Sequence, residues 1–183
     1  MRFTLSLAAV ACCCLGLMSG RANAAGDKEI RLYAIDCGSL TFKKNGSMVD
    51  PCFLLQHPAD FFLWDTGLGD ALVGHDPPVN EAGVGLHVQK ALVGQLAQIG
   101  VRPADIKVLA FSHFHVDHTG NANLFTASPA TCITWLRIGR ERAQTLASMN
   151  RVESILMNTA GRLVIQHDPA DFASLPKFPA FLN

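Results

Sequence analysis

Four side chains able to bind metal fall within six consecutive positions: His113, His115, Asp117 and His118, in Ser112-His113-Phe114-His115-Val116-Asp117-His118-Thr119-Gly120. Ahead of them runs Ile106-Lys107-Val108-Leu109-Ala110-Phe111, apolar and β-branched, which reads as a buried strand. Behind them, Thr119-Gly120-Asn121 reads as a turn into a helix. Three imidazoles and a carboxylate thus crowd the carboxyl end of a strand. Imidazole and carboxylate are ligands for zinc and similar divalent metals. If the backbone stays extended, His113, His115 and Asp117 share one side and His118 faces elsewhere. That pattern suits two adjacent ions better than one. A His-rich surface loop is the plainer alternative, but buried imidazoles without partners cost free energy, so packing explains the cluster poorly.

The chain opens Met1-Arg2-Phe3, runs apolar from Leu5 to Met18, and reaches Ala22-Asn23-Ala24. A basic start, a short apolar middle and a small-x-small exit describe a secretory signal peptide, residues 1–24, cleaved after Ala24. Residues 25–183 then form one domain, large enough for a core of its own. The first 24 residues hold two of the 15 basic residues and none of the 15 acidic ones, so the remainder carries a charge of −2. Nothing in that balance favours nucleic acid or an anionic membrane as a partner. No later apolar run is long enough to cross a bilayer. The expected location is the periplasm or the medium.

Three cysteines follow the leader: Cys37, Cys52 and Cys132. Cys37 and Cys52 flank an expected hairpin, and a disulfide and two buried thiols are equally open readings. Cys132 has no other ligand type near it in sequence, so a thiolate ligand there is a remote reading.

Taken in order, Glu29 to Gly38 alternates as an opening strand, and Lys43-Lys44-Asn45-Gly46-Ser47 carries an Asn-Gly turn signal. Pro51 to His57 and Phe61 to Trp64 are further strands, the latter ending at Asp65-Thr66-Gly67. Val84 to Ile99 shows helical spacing and stops at Gly100. His57, His75 and His87 lack ligand-type neighbours at a useful spacing and read as surface histidines. Arg137, Arg140 and Arg142 suggest a solvated helix face. Gln144 to Leu156 reads as a helix with Leu146, Met149, Val152 and Leu156 along one side. Leu163-Val164-Ile165-Gln166 reads as a final strand, with His167-Asp168-Pro169 at its carboxyl end, and the tail from Phe172 as a short helix and extended cover.

The spacing His-x-His-x-Asp-His resembles the signature of the metallo-β-lactamase fold hydrolases. The stretches Cys52-Phe53-Leu54-Leu55, Leu63-Trp64-Asp65-Thr66-Gly67, Ile106 to Asn121 and Val164 to Pro169 look most like their N-acyl-homoserine lactonase branch. The likeness covers roughly residues 30–126 and 143–183. It implies an α/β (α+β) chain with an αββα sandwich, and a zinc-dependent hydrolase that opens the lactone ring of N-acyl-homoserine lactones. It implies a small-molecule lactone or related ester as partner. It assigns His113 and His115 to one ion, Asp117, His118 and His167 to a second, and Asp117 to catalysis. It places Asp65 beneath the metal loop as structural support, although Asp65 is equally well read as a turn former.

The pattern also calls for one more histidine and a bridging aspartate between the motif and His167. Residues 119–166 contain no His and no Asp, and their only carboxylates are Glu141 and Glu153. The expectation is therefore a sandwich incomplete in its second half, with an internal deletion joined near 127–142, and fewer than two ions. A catalytically impaired remnant or metal-binding protein is the reading from another class. A hydrolase of β-lactams or thioesters keeps the fold and changes the substrate. The sequence does not indicate an oligomeric state.

Overall fold

The computed structural model describes residues 29–44, 46–58, 60–126, 142–159 and 161–183. The leader and its cleavage point, Cys132, Arg137, Arg140, Glu141 and the join expected near 127–142, apart from Arg142, lie outside the described residues.

Strands β1 (Arg31–Phe42), β2 (Gly46–His57) and β3 (Asp60–Trp64) form an antiparallel meander. Alternating apolar residues put one face of it in the core. Leu54 and Leu63 pair directly across β2 and β3, and both are fully buried. Strand β4 (Val84–His87) adds antiparallel to β1, and β5 (Ile106–Ala110) adds parallel to β3. The order is β4-β1-β2-β3-β5, one sheet among the described residues. A parallel pair needs a long crossover, and here the crossover carries helix α1 (Leu92–Gln98). Leu92 and Leu96 of α1 pack on Ile35, Leu54, Leu63, Ile106 and Leu109. The connection from β3 through the crossover to β5 brings the ends of both strands, Trp64 and Ala110, into register.

The helical spacing over 84–99 is overridden at its start. Val84-Gly85-Leu86-His87 also has a period of two, and the free edge of β1 takes it up from Ser39 to Phe42. Gly85 fits because a Cβ there would lie 2.6 Å from Thr41 Oγ1. The helix begins at Leu92, where Asp70 accepts the Leu92 and Val93 N–H groups at 2.7 and 3.2 Å.

Residues 163–166 are not a strand. Leu163 and Ile165 are 51% and 55% exposed, Gln166 enters a turn, and no described strand pairs with the run. Helix α3 (Arg142–Thr159) spans the expected 144–156, but Leu146, Met149 and Val152 are exposed. Helix α4 (Pro169–Ala173) starts earlier than the expected tail helix, because Asp168 caps it by accepting the Ala170 and Asp171 N–H groups. Phe178 and Phe181 of the tail close the core against Tyr33, at ring separations of 6.0 and 5.4 Å.

Cys37 and Cys52 form a disulfide between β1 and β2, with Cα atoms 5.8 Å apart. The β1–β2 register slips between Asp36 and Ser39, beside Cys37. The bond closes a span of 15 residues, worth about 3 kcal/mol by loop entropy. The double variant Cys37→Ala, Cys52→Ala should lose about that much in urea denaturation. Unchanged unfolding would show that the bond adds nothing.

Candidate metal centre

The site begins where β3 runs out. Asp65 has φ +58, a left-handed conformation that Asp tolerates better than most residues. The turn Asp65-Thr66-Gly67 is tied to the next strand and to the motif by backbone bonds. Asp65 N–H donates to Ala110 O and Thr66 N–H to His118 O, both at 2.8 Å. Asn121 donates to the Thr66 and Leu68 carbonyls at 2.9 and 2.8 Å and accepts the Asp70 N–H at 2.7 Å.

Gly120 N–H donates to Gly67 O at 2.8 Å, so two backbones touch. A Cβ on Gly120 would sit 2.4 Å from Gly69 N and 2.6 Å from Gly67 O. Gly120→Ala must push backbone aside, so it should cost about 1–3 kcal/mol. It should also weaken zinc binding, because the ligand turn adjoins it. Unfolding and zinc titration check both, and wild-type values would refute the close approach.

The motif is not extended through its length. β5 ends at Ala110, residues 111–115 are irregular, and helix α2 (Val116–Thr119) makes a single turn after His115. Asp117 and His118 are therefore neighbours on a helical turn, not alternating strand positions. This revises the two-sided arrangement expected from strand alternation. His113, Asp117 and His118 each present a ligand atom, all within 4.8 Å of one another. The His113 ring lies 3.9 Å from that of His118 and 4.5 Å from that of His115. His115 itself is exposed.

His167 reaches the same locus from the far end of the chain. Its Nε2 lies 3.2 Å from His118 Nε2 and 3.9 Å from Asp117 Oδ2. His118 Nε2 lies 3.5 Å from Asp117 Oδ2. Donor atoms around a tetrahedral ion, with bonds of about 2.0–2.1 Å, stand roughly 3.3–3.4 Å apart. Two edges of the triangle Asp117, His118, His167 lie close to that spacing, and the third, His167 to Asp117 at 3.9 Å, is longer.

The proton assignments, inferred from partners, point the same way. His118 Nδ1 lies 2.9 Å from Asp65 Oδ2, so its proton is donated there. His167 Nδ1 lies 2.8 Å from Val49 O, an acceptor, so it too carries its proton. The two Nε2 atoms then face each other beside a carboxylate. Two ring nitrogens and a carboxylate oxygen are donors that divalent metals take.

Asp65 is the hub. It is fully buried and accepts from Ser112 N at 2.7 Å, Ser112 Oγ at 2.9 Å, His118 Nδ1 at 2.9 Å and Gln166 Nε2 at 2.9 Å. Burial would raise its pKa, but the bonds from His118, Gln166 and Ser112 outweigh it and hold the carboxyl below its ordinary value. Burial likewise lowers His118, yet Asp65, Asp117 and Asp50 together raise it. Burial, with His118 and His115 nearby, lowers His113, which favours the neutral, ligating form. An imidazole fixed by a carboxylate through its other nitrogen is a recurrent way to orient a metal ligand.

Sequence reading missed four members of this arrangement: Ser112, Asn121, Gln166 and Asp50. Ser112, Asn121 and Gln166 carried no signal beyond lying in or beside the motif stretches. Asp50 did carry one, as a lone carboxylate in the apolar run Val49 to Leu55. It is 1% exposed, and its pKa is pushed up to about 8, by burial first and then by the Asp117 charge.

A family model described as the metallo-beta-lactamase superfamily matches residues 50–136. N-acyl homoserine lactonase AttM of Azorhizobium caulinodans is 32% identical over 114 residues, 53% of this chain and 43% of that protein. AttM of Agrobacterium fabrum is 33% identical over 115 residues, with the same two coverages of 53% and 43%. The matched region thus spans less than half the length of these curated relatives. Among solved structures, a mutant of AiiA from B. thuringiensis with N-decanoyl-L-homoserine bound has a TM-score of 0.67. It is 15% identical, with 83% of this chain and 98% of that one covered. An N-acyl homoserine lactone hydrolase with the product N-hexanoyl-L-homoserine bound gives 0.66, at 15% identity and coverages of 83% and 98%. These likenesses show a shared fold.

Proposed function

The chain has a metallo-β-lactamase-type fold like that of the N-acyl-homoserine lactonases, and on that basis we propose that it is a zinc-dependent hydrolase opening the lactone ring of N-acyl-homoserine lactones. The observation that carries the reading is the triangle of Asp117, His118 and His167, whose donor atoms converge at 3.2, 3.5 and 3.9 Å. Those three residues would hold one ion. His113 and His115 would offer a second ion two imidazoles, where catalytic zinc usually has three protein ligands. Zinc, when bound, supplies Lewis acidity and a water nucleophile with a pKa of about 7 in place of about 15.7.

The chain's own residues aim and move protons. Asp65 and the Val49 carbonyl fix the tautomers of His118 and His167. Asp117 takes the proton from the attacking water and returns it to the ring oxygen as the acyl C–O bond breaks. The product is an N-acyl-homoserine, a carboxylate and an alcohol in place of the ester.

The test is zinc content per chain and lactone ring opening, measured beside an AttM relative. One tightly bound ion is expected, with turnover about a hundredfold or more below the relative, since loose positioning by about 1 Å carries a penalty of that size. No retained zinc and no ring opening would overturn the reading. Retained zinc without ring opening favours the second reading, a metal-binding remnant, for which the run 119–166 without His or Asp speaks. Hydrolysis of a β-lactam or thioester instead would move the substrate and keep the site.

Export belongs to the same proposal. The leader motivates it, and the Cys37–Cys52 disulfide suits an oxidising compartment. Mass spectrometry of secreted protein should find a chain starting at Ala25, and a full-length cytosolic chain would refute this.

A further inference from the structure

Two buried side-chain atoms among the described residues lack a hydrogen-bond partner, Arg31 Nε and Asp50 Oδ1. Arg31 is otherwise engaged, paired with Glu29 and stacked over Phe181. Asp50 is not so easily explained. Its Oδ2 accepts the Leu68 N–H at 2.9 Å, and its Oδ1 is left over in a residue 1% exposed. A buried carboxyl oxygen without a partner is costly unless something charged or hydrogen-bonding completes it.

The surroundings say what could. Asp50 lies on β2 next to Val49, whose carbonyl fixes His167. Leu68, its one partner, follows Gly67, which accepts the Gly120 N–H at the end of the ligand turn. Asp50 is thus tied through neighbouring backbone to both segments that supply the triangle. The charges that reach it are those of Asp117, His118 and Asp65.

We infer that Asp50 Oδ1 is a further donor to the divalent ion held by Asp117, His118 and His167, the carboxylate this chain supplies where no aspartate lies between its motif and its closing histidine. The inference rests on the proposed metal reading. Three donors leave a tetrahedral ion one short, and Asp50 offers a buried carboxyl oxygen without a partner, coupled electrostatically to Asp117 and His118. Zinc can expand to five positions, so a fourth protein donor does not shut out water or substrate. The ion in turn removes the penalty of the orphaned oxygen.

The test is the zinc anomalous signal in crystals of wild-type protein soaked with zinc. A peak about 2.0–2.2 Å from Asp50 Oδ1 and from the three triangle donors is expected. A peak on those three with Asp50 more than about 3.5 Å away overturns this inference and leaves the hydrolase reading standing. No peak at the locus overturns both. In solution, Asp50→Asn should weaken zinc binding about tenfold or more and change the visible spectrum of the cobalt-substituted protein. Unchanged affinity and spectrum would overturn the inference. The wild-type crystal result decides the matter if the variant does not fold.

Discussion

His118→Ala is expected to weaken zinc binding by roughly a hundredfold or more and to silence ring opening. Zinc sites of four ligands bind with about 10–16 kcal/mol, so one ligand accounts for roughly 3 kcal/mol. His118 is also the best-fixed of the ligands. It is 1% exposed, with Nδ1 on Asp65 and its carbonyl on Thr66. Its removal deletes a corner of the triangle and leaves the Asp65 carboxylate buried without its main partner. Stability should therefore fall as well, by about 3–5 kcal/mol, the usual penalty for breaking a buried charged pair. Zinc titration against a chromophoric chelator and urea unfolding of the metal-free protein read the two effects apart. Affinity within a factor of about three of wild type would mean that the ion, if bound, sits elsewhere.

Asp65→Ala should be as damaging without touching the ion. Four donors lose their acceptor at once: Ser112 N–H, Ser112 O–H, His118 Nδ1–H and Gln166 Nε2–H. The new residue must also hold φ near +58, where Ala is strained. A stability loss of about 3–5 kcal/mol follows, with zinc affinity reduced about 10–100-fold because His118 is no longer aimed. Asp65→Asn separates the two roles. Asn tolerates the left-handed backbone and keeps one oxygen for Ser112. It gives His118 an amide donor in place of a carboxylate, and so favours the tautomer with its proton on Nε2. It should keep more of the stability and still lose affinity. Equal affinity in Asp65→Asn and wild type would show that Asp65 is only a turn former.

The chemistry of the locus was legible because ligand types are few and crowding them is rarely accidental. Its geometry was not. Strand alternation was carried past the strand's end at Ala110 as far as Asp117, since nothing in Phe111 to Val116 announces that the backbone coils before Asp117. The run 84–99 fits two periods at once, and only the free edge of β1 decides between them. Leu163 to Gln166 has strand composition, but a strand exists only where a neighbour offers a ladder. The apolar spacing of α3 was read as one side, but Leu146, Met149 and Val152 are exposed, and periodicity says nothing about what covers them. The disulfide stayed open because it depends on a register slip at Asp36 that no local pattern shows. Asp50 escaped notice because a single acid in an apolar strand reads as noise until its burial is seen.

The hub at Asp65 has a consequence for the order in which the chain can assemble. β1, β2 and β3 close on one another through turns of a few residues. The bonds that Asp65 makes join residues 47, 53 and 101 positions apart, and His167 meets Val49 across 118. Each doubling of a loop adds only about 0.6 kcal/mol of closure entropy, but a span cannot be secured before both of its ends are in place. The meander and β5 must stand before Gln166 and His167 find their acceptors. The closing histidine is thus the corner of the triangle held across the longest span, 118 positions against 53 for His118. An ion that binds all three corners would act as a latch on a contact between segments 118 positions apart in the sequence.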